Sequence, residues 1–375
     1  MIQKVSIFFA LVLLFLQLLE GAPSFTFPTL ALGEYIERIQ NEKISHNTPV
    51  VQADLVSSER EYDRLVFVGD VLLARNVEFL LRSKGSDYPY RGLSFSSLTS
   101  NPAVIGNFEA AIPKEHVPTQ ENMLRFSVDE RFLTPAIQAG FTHFSLANNH
   151  SLDYGESGYN NTLVEFSNSN LSGFGVAEEV NSNSVTYINQ ETSKVAIIGA
   201  EDLSGQTEAT ELIQLIKQVS VKSDFQVIYI HWGVEYDSQS SQVQQQLARQ
   251  LVSAGADLIV GHHPHVVQEV DLINGVPVFY SLGNYIFDQY FSNDVKEGLV
   301  LEVDFSASLV TLIPVTSAST LSQPAPMSAN KHAAFLQELA KKSNPKVSQG
   351  ILSGQIQLKT YVATSSKIAM IDSIN

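Results

Sequence analysis

Six short apolar runs along the middle of this chain each end in side chains that can bind a cation or move a proton. LVFVG runs into Asp70, AVIG into Asn107 and Glu109, and HFSLA into Asn148, Asn149 and His150. VIYI ends at His231, DLIVG at His262, His263 and His265, and VFYSLG at Asn284. Short apolar runs bounded by polar turns read as buried strands. In open α/β sheets, ligands bind beyond the carboxyl ends of neighbouring strands, where their side chains converge. Carboxylate, amide and imidazole donors on one such rim point to a metal site.

The strongest local signal is Gly261-His262-His263-Pro264-His265, whose three imidazoles just beyond a strand can turn two nitrogens on one cation. Five of the nine histidines fall on these strand ends, which is hard to credit to chance. His150 precedes Asp153 closely enough for the carboxylate to hold its ring, an arrangement that general acids and metal ligands both use. Taken singly, the other positions keep two readings. Asp70 stands where an Asp commonly caps the next helix. Asn107 to Glu109 reads also as a turn, and His231 as a satisfied core histidine. Arg75 is an anion clamp or a solvated helix residue. Asn284 is a hydrogen-bond donor to substrate or to a metal ligand, or a turn cap.

Strands and helices must alternate to position these groups. Strands at about 64–69, 103–106 and 143–147 frame helices at 71–82 and about 129–139, the second stopping at Gly140. A helix near 156–168 leads to short β segments at 173–176, 184–188 and 194–199. A helix over 207–222 carries Leu212, Leu215, Ile216 and Val219 on one face. Strand 226–231 precedes a Gln-rich helix over 239–254, closed by Gly255. Strands at 257–260, 266–272, 277–281, 298–305 and 308–315 follow. Strands separated by helices make right-handed βαβ units and a largely parallel sheet. The late strands, without helices between them, are expected to form a second sheet packed on the first. Residues 63–315 thus make one α/β domain. Residues 316–375 read as a C-terminal extension with a helix at 329–342 and a β-prone piece at 355–362.

Composition narrows the function. With 44% hydrophobic and 17% charged residues in 375, the chain can bury a large core. A net charge of −16 with only 23 Lys and Arg argues against nucleic-acid partners, which need clustered cations. The absence of cysteine excludes disulfides, thiol catalysis and Cys-ligated metals. Lys4, the apolar run 5–19 and Glu20-Gly21-Ala22-Pro23 describe an export signal or a retained membrane anchor within residues 1–22. Residues 23–62 then form a spacer, and the body is extracytoplasmic.

The ordered set GD…GNFE…LANNHSLDYG…HWGVEY…GHHPHVVQ…YSLGNYIFD resembles the CapA family of capsule-synthesis (poly-γ-glutamate biosynthesis) proteins, within the calcineurin-like metallophosphoesterase superfamily. The likeness runs from about Leu65 to Asp288 and loosely to about 315. It implies a four-layered α/β/β/α sandwich. It also implies metal ligation by Asp70, Glu109, Asn149, His231, His262 and His265. His150 would be the general acid, held by Asp153, and His263 would occupy a variable position. Arg75, Asn107, Asn148 and Asn284 would lie about the substrate.

One or two divalent ions (Mn, Fe or Zn) would be the cofactor, activating water and polarising a scissile carbonyl or phosphoryl oxygen. One ion would meet Asp70, Glu109 and His265, the other Glu109, Asn149, His231 and His262. The superfamily's His two residues after the first Asp is here Leu72, so the first set is short of a donor. Two functions follow. One is an exported metal-dependent hydrolase or transferase of an envelope polymer. The other is a non-catalytic capsule-assembly component that binds anionic polymer. Partners would be that polymer or its precursor, and membrane-embedded capsule-synthesis proteins.

Overall fold

Two strand-rich layers carry the donors. The computed structural model of the protein describes residues 60–358, apart from 121–122, 178 and 204–208. The apolar run 5–19, nearly all of the 23–62 spacer and residues 359–375 lie outside the described residues. Among the described residues, no helix is long and apolar enough to cross a membrane.

β1 (Arg64–Val71), β2 (Pro102–Phe108), β3 (Phe141–Ser145) and β4 (Ser172–Phe174) lie parallel, joined through α1 (Arg75–Lys84), α2 (Leu133–Ala139) and α3 (Gly155–Asn168). The hairpin of β5 (Val185–Gln190) and β6 (Ser193–Asp202) opens a second sheet. β7 (Phe225–Trp232) and β8 (Leu258–His262) extend it in parallel, reached through α4 (Ala209–Val219) and α5 (Gln242–Ala254). β9 (Val270–Ile273) and β10 (Val276–Phe279) complete the order β5-β6-β7-β8-β10-β9.

The chain then returns to the first sheet. β11 (Asn284–Ile286) pairs with β1, and β12 (Glu297–Asp304) and β13 (Leu309–Thr316) extend that sheet antiparallel. Short β14 (Ala325–Pro326) and β15 (Gln355–Gln357) pair with β13, flanking α6 (Ala329–Lys342) and α7 (Pro345–Ser353).

Alternation along each strand builds the layers. Leu65 and Phe67 of β1, Val227 and Tyr229 of β7, and Leu258 and Val260 of β8 meet in the core between the sheets. Val66, Val68 and Val104 face the other way, onto α1 and α2 through Val77, Leu81, Leu133 and Ala136. Ile228, Ile230 and Ile259 pack outward on Leu212, Ile216, Leu247 and Leu251 of α4 and α5. The result is an α/β/β/α sandwich. Local signals place the helices: Ser241 and Gln244 form a capping box at the start of α5. Gly140 and Gly255 end α2 and α5 in the left-handed conformation, as expected of both.

Two expectations need correction. The late strands do not all form the second sheet: β12 and β13 extend the first, because β11 brings the chain back along β1 and offers β12 the open edge of that strand. The first helix begins at Arg75, not 71, because β1 continues through Val71. Asp70 is therefore a strand residue and not a helix cap. The C-terminal segment, for its part, packs into the same body, with Leu336, Leu339, Val347 and Ile351 in the inter-sheet core. At the other end of the domain, Tyr62 is already part of that core.

Candidate metal centre

The donors are what the inner faces become where the strands leave the apolar core. After Val227 and Tyr229, the next residue on that face of β7 is His231; after Leu258 and Val260 it is His262. On β2, Ala103 and Ile105 are followed by Asn107 and then Glu109. β1 is different. Strict alternation would turn Asp70 out with Val66 and Val68, but the β1–β2 register shifts between Phe67 and Asp70, and a bulge of that kind re-aims a side chain. Glycines allow the close approach beside two donors. A Cβ on Gly69 would lie 2.0 Å from the Gly283 carbonyl oxygen, and one on Gly261 2.0 Å from that of Tyr280.

Asp70 is fully buried. Its Oδ1 accepts from Asn107 Nδ2 at 2.8 Å and lies 3.4 Å from His262 Nδ1, while its Oδ2 lies 3.2 Å from His265 Nδ1. Asp70, Glu109 and His231 each present a ligand atom within 4.8 Å of the others. His265 Nε2 stands 3.6 Å from Glu109 Oε1. His231 Nε2 lies 3.0 Å from Asn149 Oδ1 and 3.1 Å from His263 Nδ1. His150 is held by Asp153, Nδ1 to Oδ2 at 2.9 Å, and turns its Nε2 toward Glu109 at 3.9 Å. Phe126 stacks on the His150 ring at 4.0 Å and donates its N–H to the same Asp153 oxygen at 2.6 Å.

The protein's own charges conflict at this rim. Burial pushes the Glu109 carboxyl up to about 8; His265 opposes the rise, while Asp70 and Glu235 add to it. Burial works against the charge on His265, but Glu109 and Asp70 overcome it and raise that imidazole to about 9. Burial would also raise Asp70, yet His262 and His265 hold it well below the usual carboxylate range. His231 is held well below its ordinary value by burial and by His263, and His263 drops to about 4 through burial and His265.

The residues fit a divalent ion. His262 Nε2 is buried without a hydrogen-bond partner, in a side chain only 1% exposed, while its Nδ1 faces Asp70 at 3.4 Å. Buried polar atoms are almost always paired, so such an orphan needs a ligand to explain it. Nitrogen and oxygen donors together suit Mn, Fe or Zn.

The structure therefore brings Asp70, Glu109, His231, His262, His265, His150 and Asp153 together at one rim. Asn149 sits exposed at the edge, its oxygen against His231. Asn107 and Asn148, expected about the substrate, use their side chains for hydrogen bonds within the protein. Asn148 Nδ2 donates to Asn107 Oδ1 at 3.0 Å and to the Phe108 carbonyl at 2.9 Å. Asn107 in turn binds Asp70. Asn284 is buried and lies 3.0 Å from His265 Nδ1, where it orients that ring. Arg75 is not a solvated helix residue. Its guanidinium pairs with Asp288 and lies 4.5 Å over the Phe126 ring. His263 stands inside the cluster, not beside it. Glu235 was not among the expected donors, yet its carboxylate groups with His263 and His265; the acid in the loop just after His231 was the available sign.

Fold and rim together define a two-sheet α/β protein with a candidate metal centre at its strand ends. The profile of the bacterial capsule synthesis protein family PGA_cap matches residues 64–289, and the chain belongs to that family. It is 31% identical over 302 residues to the capsule biosynthesis protein CapA of Bacillus anthracis, covering 74% of this chain and 73% of that protein. It is 32% identical over 302 residues to the PGA biosynthesis protein CapA of Bacillus subtilis (strain 168), covering 74% and 78%. Among solved structures, one described as a novel phosphatase from Mycoplasma pneumoniae is similar with a TM-score of 0.45 at 12% identity, over 68% of this chain and 94% of that one.

Proposed function

We propose that this member of the capsule-synthesis family is an exported, metal-dependent hydrolase or transferase that acts on an acidic envelope polymer of the poly-γ-glutamate type. The observation that carries the reading is His150, fixed by Asp153, with its free nitrogen 3.9 Å from Glu109 in the donor group. A divalent ion held by Asp70, Glu109 and His231 would supply Lewis-acid polarisation of the scissile carbonyl or phosphoryl oxygen and an activated water. His150 delivers a proton from Nε2 to the leaving group, while Asp153 accepts from Nδ1 and fixes the tautomer. Phe126 covers one face of the imidazole and keeps its plane aimed at the rim. Arg75, paired with Asp288, lies over the other side of the Phe126 ring and helps to hold that ring against His150.

An acidic chain of net charge −16 needs a local cation such as that ion to accept an acidic polymer. The names of the two Bacillus relatives support capsule or PGA biosynthesis as the setting. The apolar run 5–19 after Lys4 supports export with the body outside, near membrane-embedded partners of the same synthesis. The test is turnover by the full chain on γ-glutamyl oligomers and on an aryl phosphodiester, with and without chelator. Chelator-sensitive turnover of either supports the proposal. Metal binding without turnover favours a non-catalytic assembly component, the reading that Leu72 in place of a histidine would suit.

A further inference from the structure

We infer that Glu235, His263 and His265 hold a second divalent cation beside the group of Asp70, Glu109 and His231, and that Glu235 supplies the donor that Leu72 does not. This rests on reading the rim as a metal centre. Glu235, His263 and His265 each present a ligand atom within 4.8 Å of the others. The two groups share a wall: His263 Nδ1 lies 3.1 Å from His231 Nε2, and His265 Nε2 lies 3.6 Å from Glu109 Oε1. Donor groups in contact are what two cations about 3.5–4 Å apart require. Two imidazoles and a carboxylate also form an ordinary donor set for Zn, Mn or Fe.

Glu235 is exposed, yet it does not stand on a free loop. The N–H of Tyr236 donates to the Pro264 carbonyl at 2.8 Å, tying the segment after β7 to the His263-Pro264-His265 turn. Gln268 Nε2 donates to the carbonyls of Asp237 and Gln239 at 2.8 and 3.1 Å, and Ser240 N donates to Glu269 at 3.1 Å. These bonds hold the carboxylate against the two imidazoles. The backbone there is also unusual. Tyr236, His263 and His265 have φ of 66°, 96° and 58°, a left-handed region that residues with a Cβ seldom enter. An imidazole at position 72 could not do the same work, because Leu72 is fully buried in the apolar layer with Val77 and Leu81 of α1.

The full chain, stripped with chelator, can be titrated with Mn(II) and separately with Zn(II). Bound metal is counted by plasma mass spectrometry, and Mn(II) is followed by electron paramagnetic resonance. The wild type is expected to hold about two equivalents with the spectrum of a coupled Mn(II) pair. Glu235→Gln, a change at an exposed position whose metal-free form is expected to melt with the metal-free wild type, is expected to hold about one, with the six-line signal of an isolated ion. His263→Gln should lose the same ion. If Glu235→Gln keeps the full complement, or the wild type takes up only one ion and Glu235→Gln is no different, the second site is overturned while the Asp70 group stands. No metal in either protein overturns both this inference and the metal-dependent reading of the rim.

Discussion

His265 Nδ1 lies 3.2 Å from Asp70 Oδ2 in a site that both side chains enter almost fully buried. The pair makes the metal-free fold sensitive to pH. His265 titrates near 9 in the folded protein, above its ordinary value of 6.5, so the stability it contributes is complete below about 6.5 and is lost as pH rises through about 9. Glu109, raised to about 8, also binds its proton more tightly when folded, and its contribution falls over the range up to that pH. A cation must displace both protons. The melting temperature of the stripped protein should therefore fall between pH 6.5 and 9, and the increment from added Mn(II) should widen over the same range. A constant increment, measured by calorimetry at matched metal concentration, would contradict this.

Asn107 is the internal brace of the rim. Its Nδ2 donates to Asp70, and its Oδ1 accepts from Asn148. Asn107→Ala leaves buried polar atoms on both neighbours short of a partner, each costing about 1–3 kcal/mol. Metal affinity should also fall about 10–100-fold, as expected when a group that orients ligands is removed. Calorimetric melting and metal titration of the variant check the two effects separately.

Much of this rim could be read before any fold was known, because a single rule governs it. An apolar inner face that turns polar at the strand end shows directly in the spacing of Val227, Tyr229 and His231, and of Leu258, Val260 and His262. What escaped that rule has a local cause. Asp70 reaches the inner face only through a bulge, which depends on register with β2 and has no counterpart in residue type. Glu235 lies in an exposed loop, and only the Tyr236–Pro264 hydrogen bond brings it to the histidines. Asn107 and Asn148 have the right chemistry for substrate, but their side chains are taken up by hydrogen bonds to Asp70, to each other and to the Phe108 carbonyl. The sheet membership of β12 and β13 is a matter of which edge lies open, and alternation alone does not encode that.

Leu72 permits a direct test of where the missing donor is. Its side chain is fully buried among Val71, Leu73, Ala74 and Val77. Leu72→His would place an imidazole there without a partner, at a cost of about 1–3 kcal/mol or more. The variant should melt lower and bind no additional metal. A gain of one equivalent, measured by plasma mass spectrometry, would show that position 72 can reach the centre.

His150 separates catalysis from metal binding, because its Nδ1 is occupied by Asp153 and its Nε2 stands 3.9 Å from Glu109, outside the 4.8 Å group of Asp70, Glu109 and His231. In the proposed hydrolase, His150→Gln removes the proton donor and should lower kcat about 10²–10⁴-fold, the usual worth of a positioned general acid. Bound metal should stay at the wild-type level. Asp153→Asn keeps an oxygen near Nδ1 but weakens the hydrogen bond that holds the ring, and should lower kcat about 10–100-fold. The two variants should differ most for substrates with poor leaving groups, which depend on protonation, and converge for activated aryl esters, which do not. Equal losses on both substrate types, with metal retained, would assign His150 to positioning and remove it as the acid.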